Sequence, residues 1–281
     1  MNFKHILTTV LVLIGLLFNA CKQKTNSASD KFDAITSDSL KYSLFSLDTT
    51  DAACLQKYKN CPNATVSYPI FNTPDSALNS YLNTEILKIV LYNTDSSSYS
   101  SPIQSLESYF KENADLKKDG NYDDESAAWT NDNNVSVYNK LGQFITIISY
   151  HQSYQGGAHP IATNNFYTFD IINKKQLKVT DILNTNDTAL LRIGQHFFKS
   201  NNNLEDTASL SDLGYFIFGD GDNYEKSAAY GKFRFNNNFA ITKQGIEFQY
   251  NPYEMAPYAV GAPNVTIPFS EIQPFLKIKI W

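Results

Sequence analysis

The chain has 281 residues, with 23 Lys and Arg against 28 Asp and Glu and a formal net charge of −5. That balance excludes nucleic acid as an expected partner, because binding phosphates needs a basic face. Aromatic residues make up 14% of the chain, 19 Phe and 18 Tyr among them, enough for a large core with tyrosine left over for contact surface.

Lys4 and His5 precede an apolar stretch from Ile6 to Phe18, the length of a signal-peptide core and short for a membrane span. Ala20 stands directly before Cys21, so Leu17-Phe18-Asn19-Ala20-Cys21 resembles a lipobox. Residues 1–20 are therefore read as a lipoprotein signal peptide and Cys21 as the lipidated first residue of the mature chain. Residues 21–39, rich in Ser, Asn, Asp and Lys, read as a flexible tether that cannot bury a core. The expected location is the cell envelope, with the protein held to a membrane by its N-terminal lipid, periplasmic or at the cell surface.

Disulfides persist in exported chains, and Cys54 and Cys61 are the cysteines that remain after Cys21. They are expected to bond to each other, a short loop closure worth about 2–3 kcal/mol by the chain-entropy argument; two free thiols and half a metal site are the alternatives. A structural zinc takes about four clustered ligands, and His151, His159 and His196 show no paired metal spacing. No metal and no cofactor is expected.

Leu40–Leu47 and Thr65–Phe71 read as strands flanking the cysteine loop. Thr73-Pro74-Asp75 then suits a helix start, with Thr73 as cap, Pro74 in the first helical position and Asp75 at the positive end of the dipole. Leu78, Leu82, Ile86, Ile89 and Val90 supply its apolar face. Ser101-Pro102 opens a second helix through Leu106, Tyr109 and Phe110, ended by the polar run from Asn113 to Glu125. From Val135 the periodicity changes to two, with strands through Val137–Tyr138 and Phe144–Tyr150 joined at Lys140-Leu141-Gly142, then Phe166–Ile172, and a return through Leu177 and Val179. Asp187 caps a helix carrying Leu190, Leu191, Ile193, Phe197 and Phe198. Phe239–Ile241 and Ile246–Tyr250 form a hairpin around Gly245, followed by a short strand through Val265 and Ile267 and a final helix from Glu271 to Leu276. The pattern predicts an α+β fold: an antiparallel sheet with helices packed on it, in two intimately associated lobes, 40–134 and 135–281.

Two loops carry the chemistry. In Tyr154-Gln155-Gly156-Gly157-Ala158-His159-Pro160, the paired glycines permit positive φ or close backbone approach, and the proline holds His159 extended. His159 reads either as a backbone-bonded turn residue or as a general base oriented by Glu254 or Asp170. In Asn251-Pro252-Tyr253-Glu254-Met255-Ala256-Pro257-Tyr258-Ala259-Val260-Gly261, the prolines stiffen a loop whose tyrosines either pack on the sheet or offer contact area. Tyr154, Gly156, Gly157, His159, Pro252, Tyr253, Glu254, Pro257 and Tyr258 are the ligand-binding candidates, with none assigned as catalytic.

These two segments resemble the extracytoplasmic domains of the RsiV-like family, which includes an anti-sigma-V factor and the N-terminal domain of a peptidoglycan deacetylase. The likeness is strongest from about Tyr150 to Leu276. Pro252, Tyr253, Glu254, Ala256, Pro257, Tyr258 and Gly261 are the matching positions of the second loop. The resemblance implies a cell-envelope binding module, since the family's anti-sigma factor binds lysozyme through this domain. Neither sigma-factor control nor deacetylation is expected to carry over, because no cytoplasmic segment or deacetylase motif accompanies the match. The expected function is non-enzymatic recognition of a lysozyme-like protein or a peptidoglycan fragment. The competing reading is an envelope hydrolase that uses His159 with a carboxylate.

Overall fold

The computed structural model describes residues 33–37, 40–92, 99–119, 127–217 and 230–280. The signal peptide, Cys21, most of the expected tether and the Ser-rich turn near Ser96 lie outside these residues. Strands β1 (Asp33–Ser37), β2 (Leu40–Thr50), β3 (Asn63–Phe71), β4 (Thr130–Leu141), β5 (Phe144–Tyr154), β6 (Ile161–Asp170) and β7 (Lys175–Gln176) form one sheet in chain order. A second sheet holds β8 (Phe239–Ile241), β9 (Gly245–Gln249) and β10 (Asn264–Pro268), with β9 in the middle.

The class is α+β, as the periodicities predict, but the large sheet is mixed. β3 and β4 run parallel while every other pair is antiparallel. A parallel pair requires a crossover, here built from helices α1 (Ser76–Tyr92) and α2 (Pro102–Lys118). The expected tether is also shorter than its composition implies, because β1 pairs with β2 from Asp33↔Leu44 to Ser37↔Leu40. An edge strand is held by its backbone ladder and needs no apolar core of its own.

Caps account for where the helices begin. Ser101 accepts from Gln104 N, with Pro102 in the first turn of α2, and Asp187 accepts from Ala189 N and Leu190 N at the head of α4 (Thr188–Asn201). The first helix differs from expectation: Asp75 Oδ1 takes Leu78 N at 2.9 Å, while Thr73 Oγ1 bonds back to Asp75 N. Asp75 therefore caps α1, and Thr73 shapes the turn before it. α2 continues to Lys118, past the Asn113 expected to begin its end. Val179, expected at the end of a strand, starts the short helix α3 (Val179–Ile182), because Asp181 accepts from the Lys178 amide and closes a turn there. The last predicted helix is α5 (Phe269–Ile272) followed by a 3₁₀ turn over Gln273–Phe275.

The core has two centres. One lies under α1 and α2 and includes Val66, Phe71, Leu82, Ile86, Val90, Val135, Ile145 and Ile147. The other gathers Leu190, Phe198, Phe216, Phe239, Phe248, Tyr250, Val265 and Ile267 around the smaller sheet. The large sheet serves both centres, with Phe144 at the start of β5 in the second and Ile145, Ile147 and Phe169 in the first. Cys54 and Cys61 form a disulfide with Cα atoms 5.7 Å apart, closing the connection between β2 and β3.

Candidate functional site

The two loops singled out by composition meet. β5 ends at Tyr154 and β6 begins at Ile161, so residues 155–160 form the tip of that hairpin. Gly156 and Gly157 have φ of +99° and +95°, a region costly for a residue with a Cβ. The Tyr154 hydroxyl donates to Gly157 O at 3.1 Å and ties the tip down.

The second loop follows β9 and is anchored from below. Met255 and Ala256 are buried. Tyr250, fully buried, donates its hydroxyl to Arg234 O at 2.6 Å; burial, with Glu254 adding to it and Arg234 opposing, pushes its phenol well above the usual value. Asn251 then joins the loops. Its Oδ1 accepts from Asn164 N at 2.8 Å, its Nδ2 donates to Asn165 Oδ1 at 2.9 Å, and its own N–H donates to Glu254 Oε2 at 2.9 Å.

With the anchors set, the rings line up. His159 stacks on Tyr258 with centroids 3.9 Å apart and planes 18° from parallel, and Tyr258 lies 5.6 Å from Tyr253. Pro160 O accepts from both the Tyr258 hydroxyl at 3.3 Å and His159 Nδ1 at 3.0 Å. Tyr253 ends the row at 51% exposure with a φ of +65°, a left-handed conformation that a bulky side chain rarely adopts and that concentrates at functional sites. Pro252 and Pro257 flank the tyrosines, and Glu254 and Pro257 face solvent.

Neither carboxylate considered for His159 reaches it. Glu254 spends its oxygens on Asn251 N and on Asn236 Nδ2 at 2.6 Å. Asp170 sits at the opposite end of β6, paired with Phe144. Burial pushes its carboxyl up, but bonds from Asn173, Gln143 and the Ile172 amide outweigh that and hold it below the usual range. Its contribution to stability is present above the ordinary carboxylate pKa and fades as pH falls through the lower native value. The structure thus brings seven candidates together as a hairpin tip packed on a stiff loop: Tyr154, Gly157, His159, Pro252, Tyr253, Glu254 and Tyr258. Gly156 and Pro257 serve as backbone shape.

Asparagines form a part of the site that composition did not single out. Asn238 Oδ1 accepts from Phe166 N and its Nδ2 donates to Asn164 O at 2.7 Å, so Asn238 and Asn251 continue the ladder along the edge of β6 where β7 has ended. Carboxamides can stand in for a strand because each offers one donor face and one acceptor. The one trace in the sequence is the recurrence of Asn at 164–165, 236–238 and 251. Asn251→Ala is expected to lower stability by about 1–3 kcal/mol, since it leaves the Asn164 amide without its acceptor. Denaturant unfolding gives the loss, and hydrogen exchange at Asn164 should accelerate.

Residues 180–270 match a family described as a protein of unknown function, DUF3298. A crystal structure of a DUF3298 family member from Bacteroides fragilis is similar to this chain at 22% identity with a TM-score of 0.64, covering 90% of this chain and 96% of that one. A DUF3298 family protein from Pseudomonas aeruginosa is similar at 17% identity with a TM-score of 0.61, covering 85% and 95%. At these identities the likeness shows the shared fold. No curated protein matches the sequence.

Proposed function

We propose that the chain is a lipid-anchored cell-envelope binding protein that takes a protein ligand, a lysozyme-like muramidase, on the surface where its two loops join. The observation that carries this reading is the row His159–Tyr258–Tyr253, assembled from segments far apart in the chain. Stacked rings fixed before binding present contact area at little entropic cost. His159 covers one face of Tyr258, and Tyr253 leans on the row at a tilt with about half its surface exposed, so the row offers edges and hydroxyls that suit side chains. The resemblance to RsiV-like domains supports a muramidase as the ligand, and the exposed Glu254 and net acidity suit a cationic surface. The apolar stretch before Ala20-Cys21 supports the anchor.

Calorimetric titration with lysozyme tests the reading. Tyr253→Ala with Tyr258→Ala is expected to weaken binding by about 2 kcal/mol or more, roughly thirtyfold, with an unchanged melting temperature showing that the fold persists. His159→Ala removes the ring behind Tyr258 and should weaken binding by a smaller factor. Full affinity in a folded double-tyrosine variant would remove the loop surface from the account, and no binding by the wild-type protein would remove the muramidase.

A further inference from the structure

A cleft of about 390 Å³ opens between the end of β4 and the turn that joins β8 to β9, with Tyr138, Lys140, Leu141, Lys243, Gln244 and Glu247 among its lining residues. That volume lies within the roughly 300–1,000 Å³ of small-molecule sites. Leu141 pairs with Phe144 at the start of β5, and the loop surface begins at the far end of that strand with Tyr154, about 30 Å away at a strand's rise. Both walls are set by backbone geometry. On β4 the register passes from Val137↔Ile147 to Asn139↔Thr146, so Tyr138 is the extra residue of a bulge, a device that re-aims one side chain and recurs beside active sites. Opposite it, Thr242 N donates to Gly245 O at 2.9 Å and Thr242 Oγ1 accepts from Gln244 N at 3.2 Å, which pins the turn that carries Lys243 and Gln244, both exposed.

The β4 wall is aromatic. The Tyr138 hydroxyl donates to Glu247 Oε2 at 2.8 Å, Phe166 packs against its ring with centroids 4.7 Å apart, and the residue is still 42% exposed. Burial, with the bond to Glu247 and its charge adding to it, pushes the phenol up to about 12, so it stays a neutral donor and the ring is fixed before any ligand arrives. Charge and shape then select the occupant. A simple anion is opposed by Glu247 and a simple cation by Lys140 and Lys243, whereas an uncharged polyol uses both signs, because every hydroxyl donates and accepts. An exposed, fixed ring favours a cyclic polyol over an open one: a pyranose has a flat face of C–H groups that lies on an aromatic surface, with its hydroxyls left at the rim for the carboxylate, the carboxamide and the ammonium groups.

We infer that this cleft binds a hexopyranose, alone or as the end of a glycan, stacked on Tyr138 and bonded at its rim by Glu247, Gln244 and Lys243. Amide NMR titration of the protein with the methyl β-glycosides of glucose, galactose and N-acetylglucosamine is the test, with sorbitol as an open-chain polyol and alanine as a zwitterion that meets both signs of charge. At least one pyranoside should saturate in the millimolar range, shifting resonances of residues 138–141 and 242–247 while those of 251–258 stay in place. Tyr138→Ala should weaken that binding about tenfold or more, through loss of the stacking surface. Lys243→Ala with Gln244→Ala, at exposed turn positions, should weaken it several-fold with an unchanged melting temperature, so the outcome stands even where Tyr138→Ala loses stability. The Tyr253/Tyr258 double variant should bind the sugar like wild type, which separates this site from the loop surface. No saturable shift from any pyranoside by about 100 mM, sorbitol or alanine binding as tightly as the best pyranoside, shifts confined to 251–258, or full affinity in either folded cleft variant would overturn the proposal.

Discussion

Phe198→Ala is expected to lower unfolding free energy by about 3–5 kcal/mol, the range for emptying a large aromatic site. Phe198 is fully buried, and its ring meets Tyr215, Phe216, Phe233 and Tyr250 at centroid distances of 5.3–5.9 Å. Most of these contacts are edge-to-face, the arrangement that adds to area burial for aromatic pairs. Several rings converge on one, so no single neighbour can fill the void. Tyr250 immediately precedes Asn251, and a cavity beneath it should loosen the second loop as well. Urea unfolding measures the first effect and amide exchange through residues 250–258 the second. A loss below about 1 kcal/mol would show that the cluster collapses around the gap and that its packing is less specific than these contacts imply.

Gly245→Ala is expected to cost about 3 kcal/mol, the upper end for overpacking. Gly245 pairs with Pro268 across β9 and β10, and a Cβ there would lie 2.0 Å from Ile267 O and 2.7 Å from Ile267 C. Both are backbone atoms of the neighbouring strand β10 at the end of its ladder with β9, so relief requires the two strands to separate there. Gly156→Ala gives the contrast. Its Cβ would meet nothing within 4 Å, and the cost is the conformational penalty of positive φ alone, about 1–2 kcal/mol. Thermal unfolding of the two variants side by side separates steric exclusion from backbone preference. Equal losses would mean that β9 and β10 shift apart more easily than their pairing suggests.

Part of this molecule was legible from short-range signals. Ser101-Pro102 and Asp187 read correctly as helix starts because a cap bonds amides two or three residues ahead, within the window that a sequence displays. The apolar runs at Phe144–Tyr150, Phe239–Ile241 and Ile246–Tyr250 read as strands because a half-buried or buried strand advertises itself through its side chains. The cysteines, seven residues apart, had each other within reach. β4 was found only from Val135 onward. Asn131 to Asn134, all Asn or Asp, disfavour a strand by composition, yet with Thr130 they pair in parallel with β3. Thr65 Oγ1 donates to Asp132 Oδ1 at 2.7 Å and Asn133 Nδ2 to Val90 O at 2.9 Å. Those partners lie tens of residues away and leave no local period.

The sequence by itself determined the α+β class, most helix starts, the disulfide pairing and the two loops, because each rests on periodicity, backbone restriction or proximity along the chain. Only the tertiary structure decided that β3 and β4 run parallel, that neighbouring residues of β5 such as Phe144 and Ile145 join different core clusters, and that the loops form one surface. The last depends on Asn251 reaching Asn164 and on Tyr258 lying between His159 and Tyr253. Hydrogen bonds from side chain to backbone and ring contacts depend on direction and distance in space, and a residue's type records neither.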